Sequence, residues 1–161
     1  MISANKIAGY VQYTHARCCA VLRKAEVEVT SDIDYSLLAD EDSAEVLRVI
    51  ESFNKNILLA LKKNEPHIVT RFMLDLAQAF NKFYHDNPIL VENLEIRKAR
   101  LALVLATKQT LENSLKLLGM HAPGRRFPRN WGPGPRRGTG GQIGSTRRQG
   151  AKKRHRSGPP L

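Results

Sequence analysis

The stretch Lys6-Ile-Ala-Gly-Tyr-Val-Gln-Tyr-Thr-His-Ala-Arg-Cys-Cys-Ala-Val-Leu-Arg-Lys-Ala25 sets Ile7, Val11, Thr14, Cys18, Val21, Leu22 and Ala25 at steps of three and four. That spacing predicts one α-helix with a single apolar face. A second set of residues lies beside that face. At 100° per residue, Lys6, Tyr10, Tyr13, Arg17 and Lys24 fall within about 60° of one another. Such a stripe offers flat rings for stacking on bases and cations for phosphates. It also describes two core-edge tyrosines with wet hydroxyls and a rim of solvated cations. Periodicity alone leaves both readings open.

Outward from this helix, helical spacing continues. Thr30 to Asp42 is acidic and rich in turn formers, so it reads as a loop, with Leu37 and Leu38 returning to the core. A short helix from Asp42 to Ser52 presents Val46, Leu47, Val49 and Ile50. Asn54 is placed to cap another, Lys55 to Lys63, with Ile57, Leu58 and Leu61 inside. Pro66 suits a first helical turn, because the N–H it lacks has no partner there. The helix it opens reaches about His85, burying Ile68, Phe72, Met73, Leu76, Ala79, Phe80 and Phe83, and Asp86-Asn87-Pro88 stops it. The last helix, Leu94 to Leu118, uses Leu101, Val104, Leu105, Leu111, Leu115 and Leu118, and Gly119 stands where a left-handed cap belongs. No stretch alternates as a strand. The expectation is an all-α, antiparallel bundle of about five helices.

Charge divides the chain at Pro123. Of 161 residues, 26 are Lys or Arg and 15 are Asp or Glu, and the +11 excess lies wholly from Gly124 onward, where 11 cations meet no acid. That region also holds nine of the 11 glycines and five of the eight prolines. Its few apolar residues follow no period, so it cannot bury enough surface to offset ordering entropy. Two regions result: a helical domain, 1–123, and a disordered Arg/Gly/Pro-rich tail, 124–161.

No catalytic constellation emerges: there is no Gly-rich phosphate loop, no His-Glu-x-x-His pair and no Gly-x-Ser-x-Gly elbow. The five histidines are scattered, and the adjacent Cys18 and Cys19 can neither bridge without strain nor close a zinc site. Neither catalytic nor metal-binding residues are assigned. The cysteines read as reduced packing residues, and no apolar run approaches the ~20 residues of a membrane span. A soluble cytoplasmic protein is expected, without membrane attachment.

Three blocks carry a resemblance. Tyr10-Val-Gln-Tyr-Thr-His-Ala-Arg17 resembles the Tyr-x-Gln-Tyr-x-His-x-Arg helix that opens the anticodon-binding (DALR-type) domain of arginyl-tRNA synthetases. The run Glu65 to His85 looks like that family's central helix. Arg100-Leu-Ala-Leu-Val104 through Leu117-Leu-Gly-Met-His-Ala-Pro123 is similar to its final helix and closing stretch. The blocks keep the family's order and spacing over about Tyr10 to Pro123. The resemblance implies a helical bundle that grips the anticodon stem-loop of arginine tRNA and draws unstacked bases into a pocket. It assigns that pocket to Tyr10 and Arg17, with Tyr84 from the central helix. Gln12, Tyr13 and His15 also match the motif and are expected to orient the pocket.

The chain departs from the family at both ends. Ala8-Gly9 stands where the family usually has Gly-Pro, and 35 residues follow Arg126 where family members finish within a few residues, often on Met. The family's catalytic domain, which binds ATP and arginine, has no counterpart here. No cofactor is therefore expected in this chain, nor arginine–tRNA ligase activity from it alone. These edges suggest a truncated or frameshifted gene, and a catalytic domain supplied in trans would be the partner for activity. A competing expectation gives function to the tail, with Lys152-Lys-Arg-His-Arg156 as a nonspecific RNA-binding or targeting segment.

Overall fold

The structure, a computed structural model, describes residues 4–25, 29 and 32–124. The chain divides into two units, Met1–Pro128 and Arg129–Leu161, and all of the described residues belong to the first. The disordered tail expected over 124–161 lies outside the described residues, Gly124 excepted.

Five α-helices and one short 3-10 turn build the described part, and no strand occurs among the described residues. They are α1 (Ala4–Ala25), α2 (Glu41–Glu51), α3 (Phe53–Lys63), α4 (His67–Asp86) and α5 (Leu94–Leu117), with the 3-10 turn at Tyr35–Leu38. The turn replaces part of the expected loop. Asp34 holds its start, accepting from the Ser36 backbone N–H at 3.0 Å and the Ser36 hydroxyl at 2.6 Å. This fold-back buries Leu38 and half-buries Leu37, the two residues expected to return to the core.

α4 is the central helix, touching all four others. Its Val69, Phe72, Met73, Leu76, Ala77, Phe80 and Phe83 are buried, whereas Ile68 and Ala79 are only partly covered. From α1, Val11, Cys18, Val21 and Ala25 join this core, and from α5 come Ala99, Leu101, Leu103, Val104, Leu111 and Leu115. Both cysteines are free and buried, and burial pushes both thiols up from their ordinary range. α1 and α5 run in opposite directions, with His15 level with Glu112 and Gln12 reaching His121 beyond the end of α5.

Helix ends follow local chemistry. Asp40 caps α2, accepting from the Ser43 N–H at 2.8 Å and the Ser43 hydroxyl at 2.7 Å. Asn93 caps α5 through the N–H groups of Glu95 and Ile96. Gly119, at φ +69°, ends α5 in the expected left-handed cap: Met120 N–H bonds the Leu115 carbonyl at 2.8 Å and Gly119 N–H that of Lys116 at 3.0 Å. The same six-to-one and five-to-two pattern closes α3 at Asn64, φ 55°, an end that helical spacing does not mark.

Three sequence-based placements are corrected. Asn54 does not cap α3: that helix begins at Phe53, directly after Ser52, which keeps right-handed helical backbone and links α2 to α3 with little break. Leu58 and Leu61 are not inside, at 66% and 72% exposure, because α3 packs chiefly on α4 and buries Ala60. Leu47 and Leu105 also face outward, and Leu103 takes the core position expected of Leu105. Among the described residues, no helix is long and apolar enough to cross a membrane.

Candidate nucleic-acid interface

α1 and α4 bring Tyr10, Tyr13, Arg17, Asn81 and Tyr84 together. The Arg17 guanidinium carbon stands 4.9 Å from the Tyr13 ring centroid and 4.8 Å from that of Tyr84. Tyr13 is one helical turn before Arg17, whereas Tyr84 arrives from the facing helix, so the cation is held between rings of two elements. Each contact contributes about 0.5–1 kcal/mol at an exposed site. Tyr84 is backed by Phe80, with centroids 6.2 Å apart, so its ring is anchored to the core.

Hydrogen bonds complete the arrangement. Arg17 Nη1 donates to Asn81 Oδ1 at 2.6 Å, and Nη2 donates to the Tyr13 hydroxyl at 3.1 Å. Asn81 Nδ2 donates to the Tyr10 hydroxyl at 2.8 Å and to Thr14 Oγ1 at 2.9 Å. Thr14, fully buried, passes its own hydrogen to the Tyr10 carbonyl at 3.0 Å. The outer surface stays open: Tyr10, Tyr13 and Tyr84 are 38%, 40% and 38% exposed. Lys6 and Lys24, at either end of the stripe, are exposed as well. Two rings on one fixed guanidinium, with the Tyr10 ring joined to it through Asn81, can stack with planar groups, while the guanidinium donates to their edges.

Of the six residues singled out in the sequence, the structure gathers Tyr10, Tyr13, Arg17 and Tyr84 into this cluster and places Gln12 and His15 elsewhere. These two look toward the segment after α5. Gln12 Nε2 donates to the His121 carbonyl at 2.8 Å, and His15 Nδ1 donates to the Pro123 carbonyl at 2.9 Å. Arg23 Nη1 adds a bond to the Gly124 carbonyl at 2.7 Å. Gly119 reverses the chain, and these three side chains of α1 hold residues 121–124 against the helix. His15 is buried, and that burial holds its pKa below the ordinary 6.5. The Pro123 hydrogen bond opposes the shift, Lys108 adds to it, Glu112 opposes it and His121 adds to it. Its Nε2 has no hydrogen-bond partner and lies 3.9 Å from Glu112, whose carboxylate is tied to Lys116 and Lys108.

Asn81 and Thr14 belong to the cluster, although sequence patterns alone did not single them out for it. Asn81 carried a usable signal: an amide between the core residues Phe80 and Phe83, one turn before Tyr84. A groove of about 450 Å³ between α3 and α5, lined by Phe53, Asn54, Ile57, Asn113, Lys116 and Leu117, includes none of Tyr10, Tyr13, Arg17, Asn81 and Tyr84.

Comparison with known proteins agrees with the resemblance read in the three blocks. Residues 11–125 match the family described as the DALR anticodon binding domain. The arginine–tRNA ligase of Clostridioides difficile (strain 630) is 99% identical over 116 residues, covering 72% of this chain and 20% of that protein. That of Alkaliphilus metalliredigens (strain QYMF) is 54% identical over 114 residues, covering 71% and 20%. The chain therefore spans about a fifth of the length of these curated relatives. Among solved structures, the Thermus thermophilus arginyl-tRNA synthetase superposes with a TM-score of 0.62 at 30% identity, over 73% of this chain and 21% of that one. A Campylobacter jejuni protein described as a putative arginyl tRNA synthetase shares the fold alone, with a TM-score of 0.68 at 19% identity, over 78% and 28%. With most of its length matched by the family model and a helical bundle that superposes on these structures, the chain belongs to the DALR anticodon-binding domain family.

Proposed function

We propose that this domain binds the anticodon stem-loop of arginine tRNA, with Tyr10, Arg17 and Tyr84 meeting the unstacked bases and Tyr13 holding Arg17 in place. One observation carries the reading: in a member of this family, the Arg17 guanidinium is clamped between two half-exposed rings with a third beside it. A ring stacked on a splayed base contributes about 1–3 kcal/mol, and a planar guanidinium adds donors that a lysine cannot arrange. Gln12 and His15 support the site from behind, by holding the backbone of residues 121 and 123 against α1.

The role is part of arginyl-tRNA aminoacylation in translation, in the cytoplasm. ATP and arginine are assigned to the catalytic part that relatives carry, so a ligase reaction would need that part in trans, and co-purification is its test. Binding itself is tested by titrating the full chain with an isolated arginine anticodon stem-loop and with a minihelix of the acceptor arm. The stem-loop should bind and the minihelix should not. Equal binding of both, falling steeply with salt, would reject the proposal and assign binding to the cationic region 124–161.

A further inference from the structure

We infer that Asn81 is the positioning residue that fixes the hydrogen-bond polarity of this surface, so that the Tyr10 hydroxyl faces RNA as a donor. The inference rests on the anticodon reading.

Some groups in the cluster can only donate and others can only accept. A guanidinium has no acceptor, so the Asn81 atom 2.6 Å from Arg17 Nη1 must be the amide oxygen. Turning the amide over would set N–H against N–H. A second anchor lies at the other end of the chain of bonds. The Tyr10 carbonyl can only accept, so Thr14 spends its hydroxyl hydrogen there, and its oxygen is left to accept from Asn81 Nδ2. Two independent constraints thus give one amide orientation. Asn81 Nδ2 carries two hydrogens; one goes to Thr14 and the other to the Tyr10 hydroxyl oxygen.

Tyr10 is consequently an acceptor on its inner side. Among the described residues its own hydroxyl hydrogen is given no acceptor, and the ring is partly open to solvent. A ligand at this surface meets a phenolic O–H donor beside a guanidinium. The matching partner is an acceptor: a base carbonyl, an unprotonated ring nitrogen or a phosphate oxygen. Amino groups, which donate, are disfavoured at Tyr10. Asn81 achieves this from α4 without touching the ligand.

Asn81→Asp tests the assignment. The carboxylate still accepts from Arg17 with nearly unchanged shape, but it cannot donate to Tyr10. The phenol then turns its hydrogen inward and presents a lone pair outward. Tyr10→Phe keeps the ring and removes the hydroxyl, so it serves as the second variant. In the full chain, each should weaken arginine-tRNA binding roughly ten-fold, about the worth of one hydrogen bond. Asn81→Asp also adds a negative charge that Tyr10→Phe does not, so the double variant should be no weaker than Asn81→Asp alone, because the donor it would lose is already gone. Binding by Asn81→Asp equal to that of the unmodified chain, or losses that multiply, would overturn the inference.

A nuclear magnetic resonance arm needs no RNA. Tyr10→Phe should shift one of the two side-chain amide protons of Asn81 upfield, and unmoved resonances would overturn the polarity assignment. If the unmodified chain binds no tRNA at all, the anticodon reading fails, and with it the role of Tyr10 toward RNA. The amide spectrum then still decides the role of Asn81.

Discussion

Replacing Arg17 by lysine keeps the charge and removes the geometry. The arginine makes two hydrogen bonds, to Asn81 at 2.6 Å and to Tyr13 at 3.1 Å, while standing 4.8 and 4.9 Å from two ring centroids. A lysine ammonium is a point charge on a flexible stem; here it can meet one acceptor or one ring well, not two of each. The loss amounts to about one hydrogen bond, ~1 kcal/mol, and one cation–π contact, ~0.5–1 kcal/mol. Solvation of the freed groups at this half-exposed site returns part of that, leaving a net destabilisation of about 1–2 kcal/mol. Urea unfolding followed by far-ultraviolet circular dichroism should show the midpoint lowered with an unchanged slope, since the same core is exposed. An Arg17→Lys midpoint equal to the parent's would refute the claim that this guanidinium ties α1 to α4.

Three further predictions concern the scaffold. The buried His15 has a pKa held below 6.5 in the folded state, so the unfolded chain binds the proton more readily. Its contribution is fully present above 6.5 and is lost as pH falls from there toward the folded value. Thermal unfolding of the parent and of His15→Gln at about pH 8 and pH 5 should show the larger acid-induced drop in the parent. For Gly119→Ala, an added Cβ meets open space, so the cost comes from the left-handed backbone alone, about 1–2 kcal/mol by chemical denaturation. Leu111→Ala, at a fully buried position, should cost about 2–5 kcal/mol, whereas Leu61→Ala, facing outward on α3, should stay within about 0.5 kcal/mol.

The bundle was legible because its long helices bury one stripe each. α1 and α4 show the three-and-four spacing over five or more turns, and Asp86-Asn87-Pro88 and Gly119 end α4 and α5 where that chemistry says they should. α3 was misread because Ile57, Leu58, Leu59 and Leu61 together cover more than one face of a three-turn helix. Which face is buried depends on where α4 lies, and local spacing does not contain that information. On α5 the adjacent leucines raise the same ambiguity, and contact with the other helices selects Leu103 over Leu105. Ser52 and Asn64 show the limit for helix ends. Asn54 had capping chemistry but sits inside a turn that continues from α2, and Asn64 adopts a left-handed cap usually given to glycine.

The site was legible in part. The stripe on α1 came from angular spacing, and Tyr84 from the resemblance of the central helix. Asn81 was not found, because its importance lies in bonds to residues 64 to 71 positions away in sequence. The separation of Gln12 and His15 from the rings has a similar cause. Their partners are backbone carbonyls of residues 121 and 123, which carry no side-chain signature.

The central claim is tested most directly by one ratio: the affinity of the full chain for arginine tRNA over its affinity for the same tRNA with the anticodon changed. It should be measured for the parent, Tyr10→Ala and Arg17→Ala at two salt concentrations. The account predicts a clear preference in the parent, retained at the higher salt and abolished in both variants. A ratio of one in the parent, with affinity collapsing as salt rises, would contradict it.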